Sequence, residues 1–201
     1  MRCAVYRGAA CRCDPARGCR LPVSASEEIV RIAAKGDGVT SGGRHVAGTA
    51  PGDLVASDGS IARGPHHVDP PCRHFGACGG CQLQQCDDPA LAGFVTDRVV
   101  NAAQGQGFEP GIIAPPYLSP PHSRRRATLH AMRAGGRIVL GYREGGSHRV
   151  VDLAECPVLA SELAALIPVL RKLLARQDGR IAVDIELTLV EQGVDVGIKG
   201  L

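Results

Sequence analysis

Four cysteines fall within fifteen positions of the stretch PPCRHFGACGGCQLQQC, at Cys72, Cys78, Cys81 and Cys86. Thiolates are soft donors. Three of them in the pattern C-x5-C-x2-C, on a Gly-rich loop, suit either Zn(II) or an iron–sulfur cluster. A tetrahedral zinc site usually pairs two CxxC-type knuckles, whereas iron–sulfur clusters commonly take three local cysteines and a distant fourth, often followed by proline. Cys156, 75 positions after Cys81 and followed by Pro157 in DLAECPVL, fits the second arrangement, with Cys86 as the local rival. Gly79 and Gly80 between two ligands permit positive φ and leave backbone N–H groups free to point at sulfur, and Gly76 lets the x5 loop turn back. A redox CxxC would need a strand before it and a helix after it, but a Pro-rich loop precedes this one.

The second chemical feature is basic. Between His122 and Arg149 there are seven arginines (124, 125, 126, 133, 137, 143 and 149) against the single acid Glu144, a local balance of +6 in a chain of net +3, which leaves −3 elsewhere. Arginine pairs with phosphate oxygens in bidentate fashion and displaces counterions from nucleic acid, so this segment is a candidate phosphate-facing surface. The alternative is a solvated Arg-rich sheet surface without a partner.

Composition narrows the class. Apolar residues make up 44% of 201, enough for a core, while Gly (26) and Pro (14) forecast many turns. Three Tyr, three Phe and no Trp leave few rings for base stacking. No apolar run approaches the roughly 18 residues of a membrane span, and MRCAVYRGAACRC lacks the apolar core of a signal peptide, so a cytoplasmic protein is expected. In a reducing compartment nine cysteines point to metal or chemistry rather than disulfides.

These residues need elements to hold them. Residues 1–26 have no periodicity, and the spacing of Cys3, Cys11, Cys13 and Cys19 is unlike a zinc site; they are read as a disordered tail or a mis-assigned start. Residues 27–65 alternate short β-type runs with Gly-containing turns, as in a small antiparallel barrel, and a proline-flanked linker leads into the cysteine loop at 66–88. Asp87 or Asp88 can then cap a helix with Pro89 in its first turn and Leu91, Phe94, Val95 and Val99 on one face, ending at Gly105. RATLHAMR, RIVLGYR and HRVVDL read as strands joined by AGG and EGGS. A helix over about 161–176 presents Leu163, Leu166, Ile167, Leu170, Leu173 and Leu174 on one face, and IAVDIELTLV with VDVGIK forms a final hairpin. The fold class expected is α+β: a small OB-type barrel, a cysteine loop, and a central α/β domain over 89–201.

PPCRHFGACGGCQLQ, SPPHSRRRATLHA, GYREGGSHRVVDLAECPVL and the preceding RIAAKGDGV and TAPGD together resemble the bacterial RNA uracil-5 methyltransferases, in particular the 23S ribosomal RNA 5-methyluridine enzymes. The resemblance covers residues 27–201. It implies a TRAM-type RNA-binding barrel at 27–65, shorter than usual, a 4Fe-4S cluster on Cys72, Cys78, Cys81 and Cys156, and a central domain that helps hold structured RNA, with Cys86 as a bystander. S-adenosylmethionine is implied as methyl donor for the family. The family's catalytic half, a donor-binding Gly-rich loop followed by a nucleophilic cysteine and a basic glutamate, is not found in these 201 residues, so no methyl transfer by them alone is expected.

The partner expected is RNA, 23S ribosomal RNA by resemblance, and the chain a monomer without membrane contact. Arg124, Arg125, Arg126, Arg143, His148 and Arg149 are the candidate phosphate contacts and Phe75 the candidate ring against a base. Each arginine could instead serve an intramolecular pair, His148 could be a satisfied strand-end histidine, and Phe75 could shield the cluster from water. Two competing readings remain: a zinc-ribbon RNA-binding module on Cys72, Cys78, Cys81 and Cys86, and a structural protein whose cysteines bind nothing.

Overall fold

The structure, a computed structural model, describes residues 13–14, 18–19 and 26–200. The expectation of a tail over 1–26 lies outside the described residues, apart from a strand pair β1 (Cys13–Asp14) and β2 (Gly18–Cys19). Five strands follow: β3 (Glu27–Ile32), β4 (Gly38–Thr40), β5 (His45–Val46), β6 (Leu54–Val55) and β7 (Ile61–Ala62). They form one antiparallel sheet in the order β5-β4-β3-β6-β7, curled into a half-barrel around Ile29, Val39 and Val55. A register shift between Ile29 and Arg31 bends β3, and such a bulge increases local twist and so helps a short sheet curl.

The half-barrel is closed by a buried carboxylate. Asp53, fully buried, accepts from the Ala50 N–H (2.8 Å), the Gly64 N–H (2.7 Å) and His67 Nδ1 (2.7 Å). Three donors satisfy an acceptor that would otherwise be costly to bury. They also fasten the linker, whose His67 and Cys86 then form an isolated antiparallel bridge. Helix α1 (Asp88–Gln104) starts as the sequence indicates: Asp87 is the N-cap, its side chain accepting from the Ala90 N–H at 2.9 Å, with Pro89 in the first turn. Its apolar face is only partly used, since Ala90 is buried and Leu91 packs beside Ala50 and Cys86, while Val95 and Val99 are exposed.

The larger core belongs to a four-stranded antiparallel sheet, β11-β10-β8-β9, built from β8 (Arg126–Ala134), β9 (Arg137–Gly141), β10 (Ala182–Val190) and β11 (Gly193–Lys199). The register places Leu129 opposite Ile185 and Ala131 opposite both Val183 and Leu140, so one face is continuously apolar. Helix α2 (Ser161–Ala175) covers it with Leu163, Ile167, Leu170 and Leu174, spaced to share one side of a helix. Arg133 reaches from β8 to the carbonyls of Leu174, Gln177 and Gly179 and so satisfies the C-terminal end of α2.

Two expectations change. The central segment read as α/β has only antiparallel pairing between its strands, because short turns at 135–136 and 191–192 join neighbours directly. HRVVDL is not a third regular strand. It runs beside β9 with one isolated bridge, Arg143 to Val150, and at Leu140 the Asp152 side chain takes the N–H (3.2 Å). Gly141 admits this close approach, since any Cβ there would collide with the Val151 carbonyl.

Leu163→Ala removes a fully buried side chain from the α2–sheet core and is expected to cost about 2–5 kcal/mol in chemical denaturation. Val99→Ala, on the exposed flank of α1, should change stability by no more than about 0.5 kcal/mol in the same measurement.

Candidate cysteine centre and basic surface

The cysteine loop is docked on the segment that follows β9. The Gly79 N–H donates to the Arg143 carbonyl (2.9 Å), the Gly145 N–H to the Ala77 carbonyl (3.4 Å), and Cys78 faces Glu144 in an isolated antiparallel bridge. Side chains add to this seam: the Ala154 N–H donates to His74 Nε2 (3.2 Å), and Arg73 pairs with Glu155 (3.5 Å). Cys156 is positioned independently. The flanking residues run parallel to 122–124, with the His122 N–H on the Pro157 carbonyl (2.9 Å), the Arg124 N–H on the Val158 carbonyl (3.0 Å) and the Ala160 N–H on the Arg124 carbonyl (3.0 Å).

This brings together the four thiols of two distant segments. Cys72 is buried and Cys78, Cys81 and Cys156 half-buried, all as free cysteines. Burial raises the Cys78 pKa. The Gly80 N–H, donating to Cys78 Sγ at 3.4 Å, opposes the shift, and the negative charges of Cys81, Cys72 and Cys156 each add to it. Among the described residues no three His, Cys, Asp or Glu side chains close tightly enough to hold a single metal ion.

Cys86 stands apart. It is buried with Ala50 and Ala90 between the half-barrel and α1, and its charged neighbours are Asp53 and Asp87. Its neighbour Gln85, also buried, donates from Nε2 to the Thr49 carbonyl at 3.0 Å, so this end of the loop is pinned to the half-barrel. Cys86 is therefore a packing residue of this interface. Burial, reinforced by those carboxylates, pushes its thiol up to about 11.

The loop glycines use their freedom differently. Gly76 does take positive φ (86°), but Gly79 and Gly80 do not. Gly79 is required by close approach, since a Cβ there would lie 2.8 Å from the Arg143 carbonyl oxygen, and Gly80 is tightly placed, since a Cβ there would lie 3.1–3.3 Å from three atoms of the Tyr142 ring. Tyr142, which sequence reasoning passed over within GYREGG, thus lies against the CGGC turn, and its hydroxyl is buried without a hydrogen-bond partner. Burial raises its pKa, opposed by the nearby Arg124 guanidinium, which stands close without reaching hydrogen-bonding geometry.

The arginines do not form one surface. Arg133 caps α2, Arg137 pairs with Asp152, and Arg124 is half-buried with Nη1 on the Gly80 carbonyl (3.2 Å). Arginines of this segment also line three separate clefts. Arg124, Arg125 and Arg126 face the β10–β11 turn across a cleft of about 620 Å³. Arg143 lines a second, of about 580 Å³, with Lys35 of the half-barrel, half-buried Phe75, His130, Cys78 and Cys81. Arg149 lines a third beside Arg137. Arg143 also approaches Asp184 (3.8 Å), whose carboxyl is held below its usual range chiefly by its 2.6 Å contact with His130. His148 is exposed, and the side chains of Arg126, His148 and Arg149 have no hydrogen-bonding or ionic partner among the described residues.

No family model matches the chain. It is 42% identical to an uncharacterized RNA methyltransferase of Zymomonas mobilis, over 84% of this chain and 43% of that protein. It is 35% identical to an uncharacterized RNA methyltransferase of Caulobacter vibrioides, over 86% of this chain and 46% of that one. The chain is thus related over most of its length to RNA methyltransferases, and it spans less than half the length of these curated relatives. A more specific relative is the 23S rRNA (uracil-C5)-methyltransferase RlmD of Halomonas elongata, 38% identical over 56% of this chain and 24% of that protein. The resemblance to RNA uracil-5 methyltransferases read in the sequence is borne out by these matches.

Because the Cys86 thiol stays protonated in the folded protein after it has ionised in the unfolded chain, the folded form holds more protons between about pH 9 and 11. Its contribution to stability is complete below pH 9 and is lost as pH rises toward 11. Denaturation midpoints across that range should fall more steeply for the native protein than for Cys86→Ala.

Proposed function

We propose that this chain is the RNA-recognition and 4Fe-4S-binding portion of an S-adenosylmethionine-dependent RNA uracil-C5 methyltransferase acting on 23S ribosomal RNA in the cytoplasm. The observation that carries the reading is the convergence of Cys72, Cys78, Cys81 and Cys156 on one half-buried neighbourhood, with Cys86 left outside it. The zinc tetrad needs Cys86, which instead packs with Ala50 and Ala90. The donor set suits a cluster chemically: four thiols, a backbone N–H already on Cys78 Sγ, and a buried unpaired hydroxyl alongside.

When bound, the cluster would supply a covalent cross-link between the loop at 72–81 and residue 156. The protein's own part is to hold the half-barrel, the loop and the sheet in one arrangement, so that Lys35, Arg143 and Phe75 face a common cleft. Arg125, Arg126, His148 and Arg149 are exposed and suited to phosphate, and Arg124 positions the loop through Gly80 while bordering the neighbouring cleft. Phe75 offers a ring to an unstacked base. The half-barrel would act as a short TRAM-like module. Methyl transfer needs a donor-binding unit of the kind a strand, Gly-rich loop and helix provide, and we place that unit outside these 201 residues.

Anaerobically purified protein should be brown, with absorbance at about 400 nm and stoichiometric iron and sulfide. Cys156→Ser should lose the colour and Cys86→Ser keep it. A colourless protein with one zinc per chain would instead establish the zinc module. Arg125→Ala with Arg126→Ala should weaken RNA binding across sequences and reduce the slope of log K against log salt by about 1 for each phosphate no longer neutralised. Incubation of the chain alone with ribosomal RNA and radiolabelled S-adenosylmethionine should give no incorporation.

A further inference from the structure

We propose that the cleft between half-barrel, cysteine loop and sheet takes the nucleoside part of one unpaired nucleotide, and that His130, oriented by Asp184, accepts a hydrogen bond from it. The inference deepens the reading that this chain binds RNA and rests on it, but it does not depend on what the cysteines hold.

Charge decides which part of a nucleotide suits the cleft. Its volume, about 580 Å³, is in the range of sites that hold one small ligand, roughly 300–1,000 Å³. The cations Lys35 and Arg143 are matched there by Asp37 and Glu144, and Arg143 also approaches Asp184 at 3.8 Å. A phosphate gains little from walls whose charges already cancel. The arginines without a partner among the described residues, Arg126 and Arg149, line other clefts. What this cleft adds is the half-buried ring of Phe75, on which any base can stack, and an oriented imidazole.

The sheet sets that imidazole. Leu129 and Ala131 are buried in the core beneath α2, so His130 between them belongs to the opposite face of β8. There it stands between Gly141 of β9, which has no side chain to crowd it, and Asp184 of β10. His130 Nδ1 lies 2.6 Å from Asp184 Oδ1. An ionised carboxylate only accepts, so Nδ1 carries the proton, and this same bond is the chief cause that holds the Asp184 carboxyl below its usual range. In the neutral ring Nε2 is then an acceptor. It has no partner among the described residues, and His130 keeps 18% of its side chain exposed on the cleft wall.

A nucleoside offers such an acceptor two kinds of donor, the ribose 2′-hydroxyl and an N–H on the base edge. Uridine carries both, and each can be removed separately. Fluorescence anisotropy of the whole chain with labelled oligouridine, its 2′-deoxy counterpart and its N3-methyl counterpart tests the site. His130→Ala is expected to weaken binding of oligouridine about fivefold, the worth of one hydrogen bond, with the slope of log K against log salt unchanged. The loss should vanish on the 2′-deoxy oligomer if the donor is ribose, and on the N3-methyl oligomer if it is the base. His130→Gln, whose amide oxygen can stand in the place of Nε2, should restore most of the affinity.

The native protein provides a test that needs no variant to fold: it must prefer oligouridine to at least one counterpart, and equal affinity for all three overturns the proposal. Equal losses in His130→Ala on all three oligomers, or a flatter salt slope, assign His130 to phosphate or to the fold and overturn it too. Binding to ribosomal RNA but to none of the oligomers overturns the nucleoside site alone. A chain that binds no RNA overturns this inference together with the reading beneath it.

Discussion

Everything distinctive about this molecule depends on a short backbone seam, the pairing of Ala77–Gly79 with Arg143–Gly145. Without it the three loop cysteines would hang from the half-barrel and Cys156 from the four-stranded sheet, and no common centre would exist. The seam is possible because two glycines lack a Cβ where the neighbouring chain comes closest, Gly79 under the Arg143 carbonyl and Gly80 under the Tyr142 ring. A loop with larger residues there would have to stand off, and the thiols with it.

The same constraint explains how charge is used. Several arginines that look like a single basic band along the chain are divided by the fold among different tasks. Arg133 satisfies the end of α2, Arg137 and Arg171 meet at Asp152, and Arg124 holds the cysteine turn through Gly80. The arginines that remain exposed lie in separate clefts, one at the β10–β11 turn, one at the meeting of half-barrel, loop and sheet, and one beside β9. A partner that touched all of them would have to extend over several clefts, which suits a polyanionic chain better than a compact ligand.

Local structure was legible where the signal was local. The N-cap at Asp87, the helix over 161–175 and the β10–β11 hairpin follow from capping chemistry, apolar spacing and turn residues, all of which act within a few positions. The apolar stripe of α1 was misleading in part, because periodicity shows which side chains share a face but not whether anything covers it; Val95 and Val99 are exposed. HRVVDL had strand-like composition and failed to form a regular strand because Asp152 takes a bond that a ladder partner would have made.

Residue types and spacing by themselves raised thiolate chemistry as the leading possibility and offered Cys156, with Cys86 as rival, as the fourth partner of the C-x5-C-x2-C loop, while the quoted motifs carried the resemblance to RNA uracil-5 methyltransferases. Only the tertiary structure decided that Cys86 packs between half-barrel and helix while the other four cysteines share a neighbourhood, why Gly79 must be glycine, and that a tyrosine hydroxyl is buried against the cysteine turn. The physical reason is range. Donor type, capping and periodicity are written within a few residues of each other, whereas proximity across 75 positions, close backbone approach and the desolvation of a hydroxyl exist only once the sheet has brought distant segments into contact.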